Sequence, residues 1–248
     1  MTQDALSELS VPGTLSVPGT LRVAINLGNM LLVTGTGPKG EPQGVAPDLA
    51  AALAARLGVA VSYRTYPMPG ELADALARDE WDIGLIAVEP SRAETIAFSD
   101  AYSEIEASYL VPANSPLHAV EDVDKPGVRI AVAERAAYDL YLTRNLKHAE
   151  LRRATGLPGA FGLFVSEKLD ALAGLVPALR KNAKDLPGSR LLPGRFTSAQ
   201  QAIGTKPQNT ALQAVIADFI AEAKESGLVA ELIEKHGVTG KLQVADGG

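Results

Sequence analysis

From Leu21 onward the spacing of apolar and polar positions changes rhythm again and again. Leu21, Val23 and Ile25 alternate in LRVAIN and predict a strand. In PDLAAALAARLG the residues Leu49, Leu53 and Leu57 form one stripe, Pro47 and Asp48 suit a first turn, and Gly58 ends the helix. VAVSYRT at 59–65 reads as a strand, ELADALARD as a short helix and WDIGLIAV at 81–88 as a buried strand. ASYLVPA at 107–113 and GVRIAVA at 127–133 predict further strands, the second followed by a helix through AYDLYLTRNL. A helix and a strand follow up to Leu172, then a helix around 175–184. SRLLPG and SAQQAIGT read as strands before two closing helices. In the first of these Leu212, Val215, Ile216, Phe219 and Ile220 share a face, and Asn209 or Thr210 is placed to cap it.

Alternating strands and helices predict an α/β layer fold in two units, with seams near 112–116 and 193–199. Residues 1–20 stand apart. They hold a tandem SVPGTL, at 10–15 and 16–21, and Pro-Gly turns in succession predict a flexible arm.

Composition narrows the function. The 248 residues carry a formal charge of -6 with scattered basic residues, which argues against nucleic acid as a partner. There is no cysteine, so thiolate catalysis, disulfides and Cys-based metal sites are excluded. His118, His148 and His236 lack metal-ligand spacing, and no cofactor is expected. GTGPKG at 35–40 satisfies G-x-G-x-x-G, yet it contains Pro38 and opens no helix, so it reads as a hairpin loop. The first twenty residues have no basic start and no apolar stretch, so they do not read as a signal peptide.

WDIGLIAVEPSRAETIAFSDAY at 81–102 resembles the signature of family 3 extracellular solute-binding proteins, the amino-acid receptors of ABC importers. Their pattern runs D-I, a strand, a turn, T-x-x-R, then F-S-x-P-Y. GEPQGVAPDLAAALAARLGV, VEDVDKPGVRIAV, EKLDALAG and ESGLVAELIEKHG resemble other segments of that family in the same order, from about Leu21 to Gly237. The resemblance implies a two-lobed type II periplasmic-binding fold. Lobe 1 would be discontinuous, 21–112 plus 199–248, and lobe 2 would be 113–198, with a two-strand hinge and a ligand in the cleft. It also implies a monomeric, non-enzymatic receptor in the periplasm, with an ABC permease as partner; a cytoplasmic location stays open.

Within that resemblance Arg92 matches the arginine that grips the ligand carboxylate. A guanidinium fork donates two parallel bonds to a carboxylate, which lysine cannot do. The competing reading is a surface arginine paired with Glu89 or Glu94. Asn26, Leu27, Gly28 and Asn29, after the first strand, would form another wall or a plain turn. Glu89 stands where the family has threonine and would receive a cationic group or neutralise Arg92. Glu106, near the first crossing strand, is a second acidic candidate or a solvated strand residue. Ala87 stands where a hydroxyl residue is common. AERAAYD keeps the family's helix start but loses its hydroxyls, which draws attention to Glu134, Arg135, Ala136, Ala137 and Tyr138, the last either a ligand contact or core. Gln200 and Gln201 would add amide contacts.

Two departures matter. The aspartate that binds the α-ammonium in many relatives falls on Leu175, so the ligand either lacks a free α-amino group or is held there by Glu89 or Glu106. In the related cyclohexadienyl dehydratases the essential glutamate falls on Ala178, which speaks against that enzyme. A sensory ligand-binding module is the remaining alternative.

Overall fold

A computed structural model describes residues 15–246. The chain divides into two compact units, one running up to Ser103 and resuming at Gln200, the other Glu104–Ala199. The mixed α/β architecture is a type II periplasmic-binding fold.

In the first unit β1 (Thr20–Asn26) leads through a hairpin of β2 (Gly35–Thr36) and β3 (Pro42–Gln43) into α1 (Val45–Leu57), then β4 (Ala60–Tyr66). Gly44 precedes α1 at φ 151°, and a Cβ there would lie 2.2 Å from the Leu32 carbonyl oxygen. Only glycine lets the backbone pass so close. The glycines of this stretch lie in the hairpin and at the helix entry. Gly58 ends α1 in the left-handed conformation, its N–H donating to the carbonyls of Ala54 and Ala55. The chain continues through α2 (Pro69–Ala75), a 3-10 turn and β5 (Ile83–Ala87), all of whose residues are buried. Trp81, fully buried, ties β5 to α2 by donating from Nε1 to the Leu72 carbonyl at 3.0 Å. Next come α3 (Pro90–Ala93) and β6 (Ala97–Phe98).

The second unit begins with β7 (Ser103–Val111) and continues with β8 (Arg129–Ala133), α4 (Ala137–Asn145), β9 (Glu150–Ala154), α5 (Gly156–Ser166), β10 (Ala171–Leu175), α6 (Val176–Asp185) and β11 (Arg190–Leu191). Its core gathers Tyr109, Leu110, Ile130, Val132, Phe164 and Leu172 between sheet and helices. β12 (Thr197–Thr205) carries the chain back. α7 (Thr210–Glu225), α8 (Leu228–Lys235) and β13 (Gln243–Val244) complete the first unit. Asn209 caps α7, its side chain accepting from the Leu212 amide at 3.3 Å.

Each unit has a sheet of the same order. In the first it is β4-β1-β5-β12, with β1 parallel to both β4 and β5 and β12 antiparallel. In the second it is β9-β8-β10-β7, with β8 parallel to both β9 and β10 and β7 antiparallel. The chain thus steps to one side of its first parallel strand and then to the other. The carboxyl ends of β1 and β5, and those of β8 and β10, flank topological switch points, where open α/β sheets present their ligand crevices.

Three expectations differ from the structure. The chain leaves the first unit at Ser103, at the start of β7, and not near 112; residues 107–111 of that strand pair with β10 and β11. β7 begins four residues before the apolar run, because Glu104 and Glu106 alternate with buried Ser103 and Ile105. As for the arm 1–20, residues 1–14 lie outside the described residues. From Ser16 the chain is tied down: the Ser16 amide donates to the Asp82 carboxylate at 3.2 Å, and Val17 bridges to Thr20.

Candidate functional site

The first switch point brings together two loops. The pairing of Ala24 with Gly84 and Ile25 with Leu85 sets Asn26 and the residues after it beside the end of β5. Asn26 Oδ1 accepts from the Gly28 amide at 3.0 Å, and Asn29 Oδ1 from the Leu31 amide at 3.2 Å. These oxygens shape the turn. The Nδ2 groups of both asparagines have no hydrogen-bond partner among the described residues, so the loop keeps donors in hand. Leu27 and Met30 are exposed, whereas Asn29 is buried.

At the end of β5, Arg92 is only 5 % exposed. Its Nη1 donates to the Ala87 carbonyl at 2.7 Å. Ala87 therefore contributes its backbone, not a side chain, and orients the guanidinium. The exposed surface arginine that sequence alone allowed is not what the fold contains. α3 offers no free helix start here: it has four residues, and the amides of Arg92 and Ala93 both donate to the Glu89 carbonyl at 2.9 Å. Glu89, at the position before α3, is also buried. Gln200 and Gln201 come alongside through β12. The Gln200 carbonyl accepts from the Val88 amide at 2.7 Å, and Gln201 faces Ala87 in register. The fold thus collects Asn26, Asn29, Ala87, Glu89, Arg92, Gln200 and Gln201 in the first unit.

At the second switch point the loop after β8 carries Glu134, Arg135 and Ala136 into α4. Arg135 adopts φ 58°, in the left-handed region, and its amide donates to Asp139 Oδ2 at 2.8 Å. A non-glycine residue held there stores strain that the surrounding contacts must offset. Asp139, 3 % exposed at its side chain, also pairs with Arg153 at 3.0 Å. It was not among the residues singled out above. The cue in the sequence was an acid in the first turn of a predicted helix, four residues after the strained arginine.

Tyr138 packs in the second unit's core, 3 % exposed, and its hydroxyl has no hydrogen-bond partner among the described residues. Burial first, then the nearby Asp139, pushes the phenol well above its ordinary range. Glu106 takes the solvated strand position that was the alternative to a ligand role. It lies on β7 in the second unit, about half exposed, with Arg195 Nη1 at 3.4 Å. Its outward position on an alternating strand explains that exposure.

A mostly parallel sheet with a polar, arginine-bearing switch point in each of two chain-crossed units defines the class of periplasmic-type binding folds. The chain belongs to the bacterial extracellular solute-binding proteins, family 3, whose pattern matches residues 22–239. Similar solved structures include the ancestral amino acid-binding protein AncCDT-1, a precursor of cyclohexadienyl dehydratase, at 24 % identity and TM-score 0.72, covering 93 % of this chain and 98 % of that one. A histidine kinase sensor domain with similarity to periplasmic binding proteins aligns at TM-score 0.75 and 17 % identity, over 91 % of this chain and 98 % of that one. Among curated proteins, the membrane-bound lytic murein transglycosylase F of Maricaulis maris (strain MCS10) is 29 % identical over 153 residues, 58 % of this chain. The match covers 33 % of that relative's length.

Proposed function

We propose that this chain is a solute-binding protein for a small carboxylate-bearing ligand, an amino acid or a related organic acid, serving an ABC importer outside the cytoplasm. The reading rests on one observation: the Arg92 guanidinium is buried at a topological switch point and oriented by the Ala87 carbonyl. Taking a charged group out of water costs several kcal/mol, so such a group is retained where an anion compensates it. Arg92 is the carboxylate anchor. The amide groups of Asn26 and Asn29 add donors beside it, and Glu89 moderates its charge. Arg135 and Ala136 stand at the second unit's own switch point, and the two strand crossings act as the hinge.

The ligand's other end is less like that of a common amino-acid receptor. Leu175 ends β10 where the resemblance calls for an ammonium-binding aspartate. The ligand we favour is a carboxylate without a free α-amino group. Dehydratase chemistry is disfavoured because Ala178, in α6, offers no proton to donate.

Calorimetric titration with the twenty common amino acids and with their deaminated counterparts tests this. Tighter binding of one or more deaminated acids, without turnover, is the expected result. General and tight binding of α-amino acids would remove the deaminated version. Failure of every carboxylate to bind would remove the function itself.

A further inference from the structure

A second group of residues, separate from Arg92 and lying wholly in the second unit, forms a depression of about 360 Å³. Its walls are Val176 and Arg180 of α6, the segment Leu191–Arg195 after β11 begins, and Glu106 of β7. That volume lies at the small end of ligand pockets. Its apolar floor comes from Val176, Leu191, Leu192 and Pro193. Arg195 is answered by Glu106 at 3.4 Å and, more loosely, by Glu104 at 3.8 Å. Arg180 is exposed and has no hydrogen bond or ion pair among the described residues. Arg180 is therefore the guanidinium of this lining without a carboxylate, and it stands beside an apolar surface.

We infer that this depression is a second binding site, for a small organic monoanion with an apolar body. Arg180 takes the carboxylate, while the body covers Val176, Leu191 and Pro193. Arg195 stays paired with Glu106 and fixes the wall. A dianion would leave a negative charge unmatched, and a neutral amide would leave Arg180 without its partner. The site stands or falls independently of the Arg92 proposal.

The test follows backbone amide resonances of the full chain by nuclear magnetic resonance, with phenylacetate as probe and phenylacetamide as its neutral control. Phenylacetate should shift the amides of 176, 180 and 191–195 saturably. Those shifts should persist in Arg92→Ala, and the apparent affinity should fall at least tenfold in Arg180→Gln. Phenylacetamide should bind at least tenfold more weakly than phenylacetate. Resonances away from the depression report whether Arg180→Gln keeps its fold, and Arg180→Lys, which retains the charge, should keep part of the affinity. The proposal is overturned if the probe leaves these amides unmoved, if Arg180→Gln binds as the parent does, if the amide binds equally well, or if the shifts vanish in Arg92→Ala.

Discussion

Both units fasten the start of their first parallel strand in the same way, and they differ in how deeply the fastening is buried. In the first, the Arg22 amide and Nε donate to Asp82 Oδ2 at 2.9 and 3.3 Å, and Nη1 donates to the Asp79 carbonyl at 2.5 Å. In the second, the Arg129 amide and Nε donate to Asp170 Oδ2 at 2.8 and 3.4 Å, and Nη2 donates to the Lys168 carbonyl at 2.8 Å. Asp79 and Lys168 both adopt the left-handed conformation, at φ 54° and 48°. The aspartate that opens the strand in "D-I" and in "D-A" is thus a fastener that locks one parallel strand to its neighbour; it is not a ligand contact. Yet the side chains of Arg22 and Asp82 are 13 % and 3 % exposed, against 39 % and 41 % for Arg129 and Asp170. The first clamp is further braced by Lys206 on Asp79 and by Ser16 on both acids. One design repeated at two depths should yield two different energies.

The largest expected effect comes from breaking the deeper clamp. Arg22→Ala leaves a buried carboxylate without its cation and should cost about 3–5 kcal/mol in chemical denaturation. Arg129→Ala removes a solvent-screened pair and should cost about 1 kcal/mol. Equal losses at the two positions would show that burial does not distinguish them. Tyr138→Phe should act in the opposite direction. It removes a buried hydroxyl without a partner among the described residues and should raise stability by about 1 kcal/mol. A variant that is destabilised would mean that the hydroxyl has a structural partner.

A smaller effect concerns acid. Burial pushes the Asp82 carboxyl up, but the Arg22 side chain, then the amides of Arg22 and Ser16, outweigh it and hold the group below its ordinary value. Lys206 and then Arg22 hold the exposed Asp79 down to about 2. A carboxyl lowered in the folded state adds stability above its unfolded value and loses it as pH falls through the folded one. Unfolding free energy should therefore drop between pH about 4 and about 2. In Arg22→Ala that slope should flatten; an unchanged slope would assign the acid sensitivity to other carboxylates.

The buried parallel strands β5 and β8 were legible in the sequence because each reads as a near-continuous apolar run, and β1 because its apolar residues alternate. β9 was not. ELRRA is polar at three of its five positions, pairs among the described residues with β8 alone at the sheet's edge, and spends its arginines on Asp139, Glu150 and Glu167. An edge strand with both faces half exposed has no alternation to read. The first crossing was misplaced for a related reason: Glu104 and Glu106 face outward and hide the strand that carries them. At the site, Arg92 was legible only through its resemblance to the family pattern. A lone arginine after a strand has no local feature that foretells burial. What the sequence could not supply was the bond to the Ala87 carbonyl, since a backbone acceptor leaves no mark on residue identity.

The most direct test of the account is the affinity of the tightest-binding carboxylate for the parent chain and for Arg92→Ala, measured by calorimetry at neutral pH. The account predicts a loss of about 2–5 kcal/mol, the cost of removing one member of a desolvated charge pair. An unchanged dissociation constant, in a variant that unfolds at the same denaturant concentration as the parent, would contradict it.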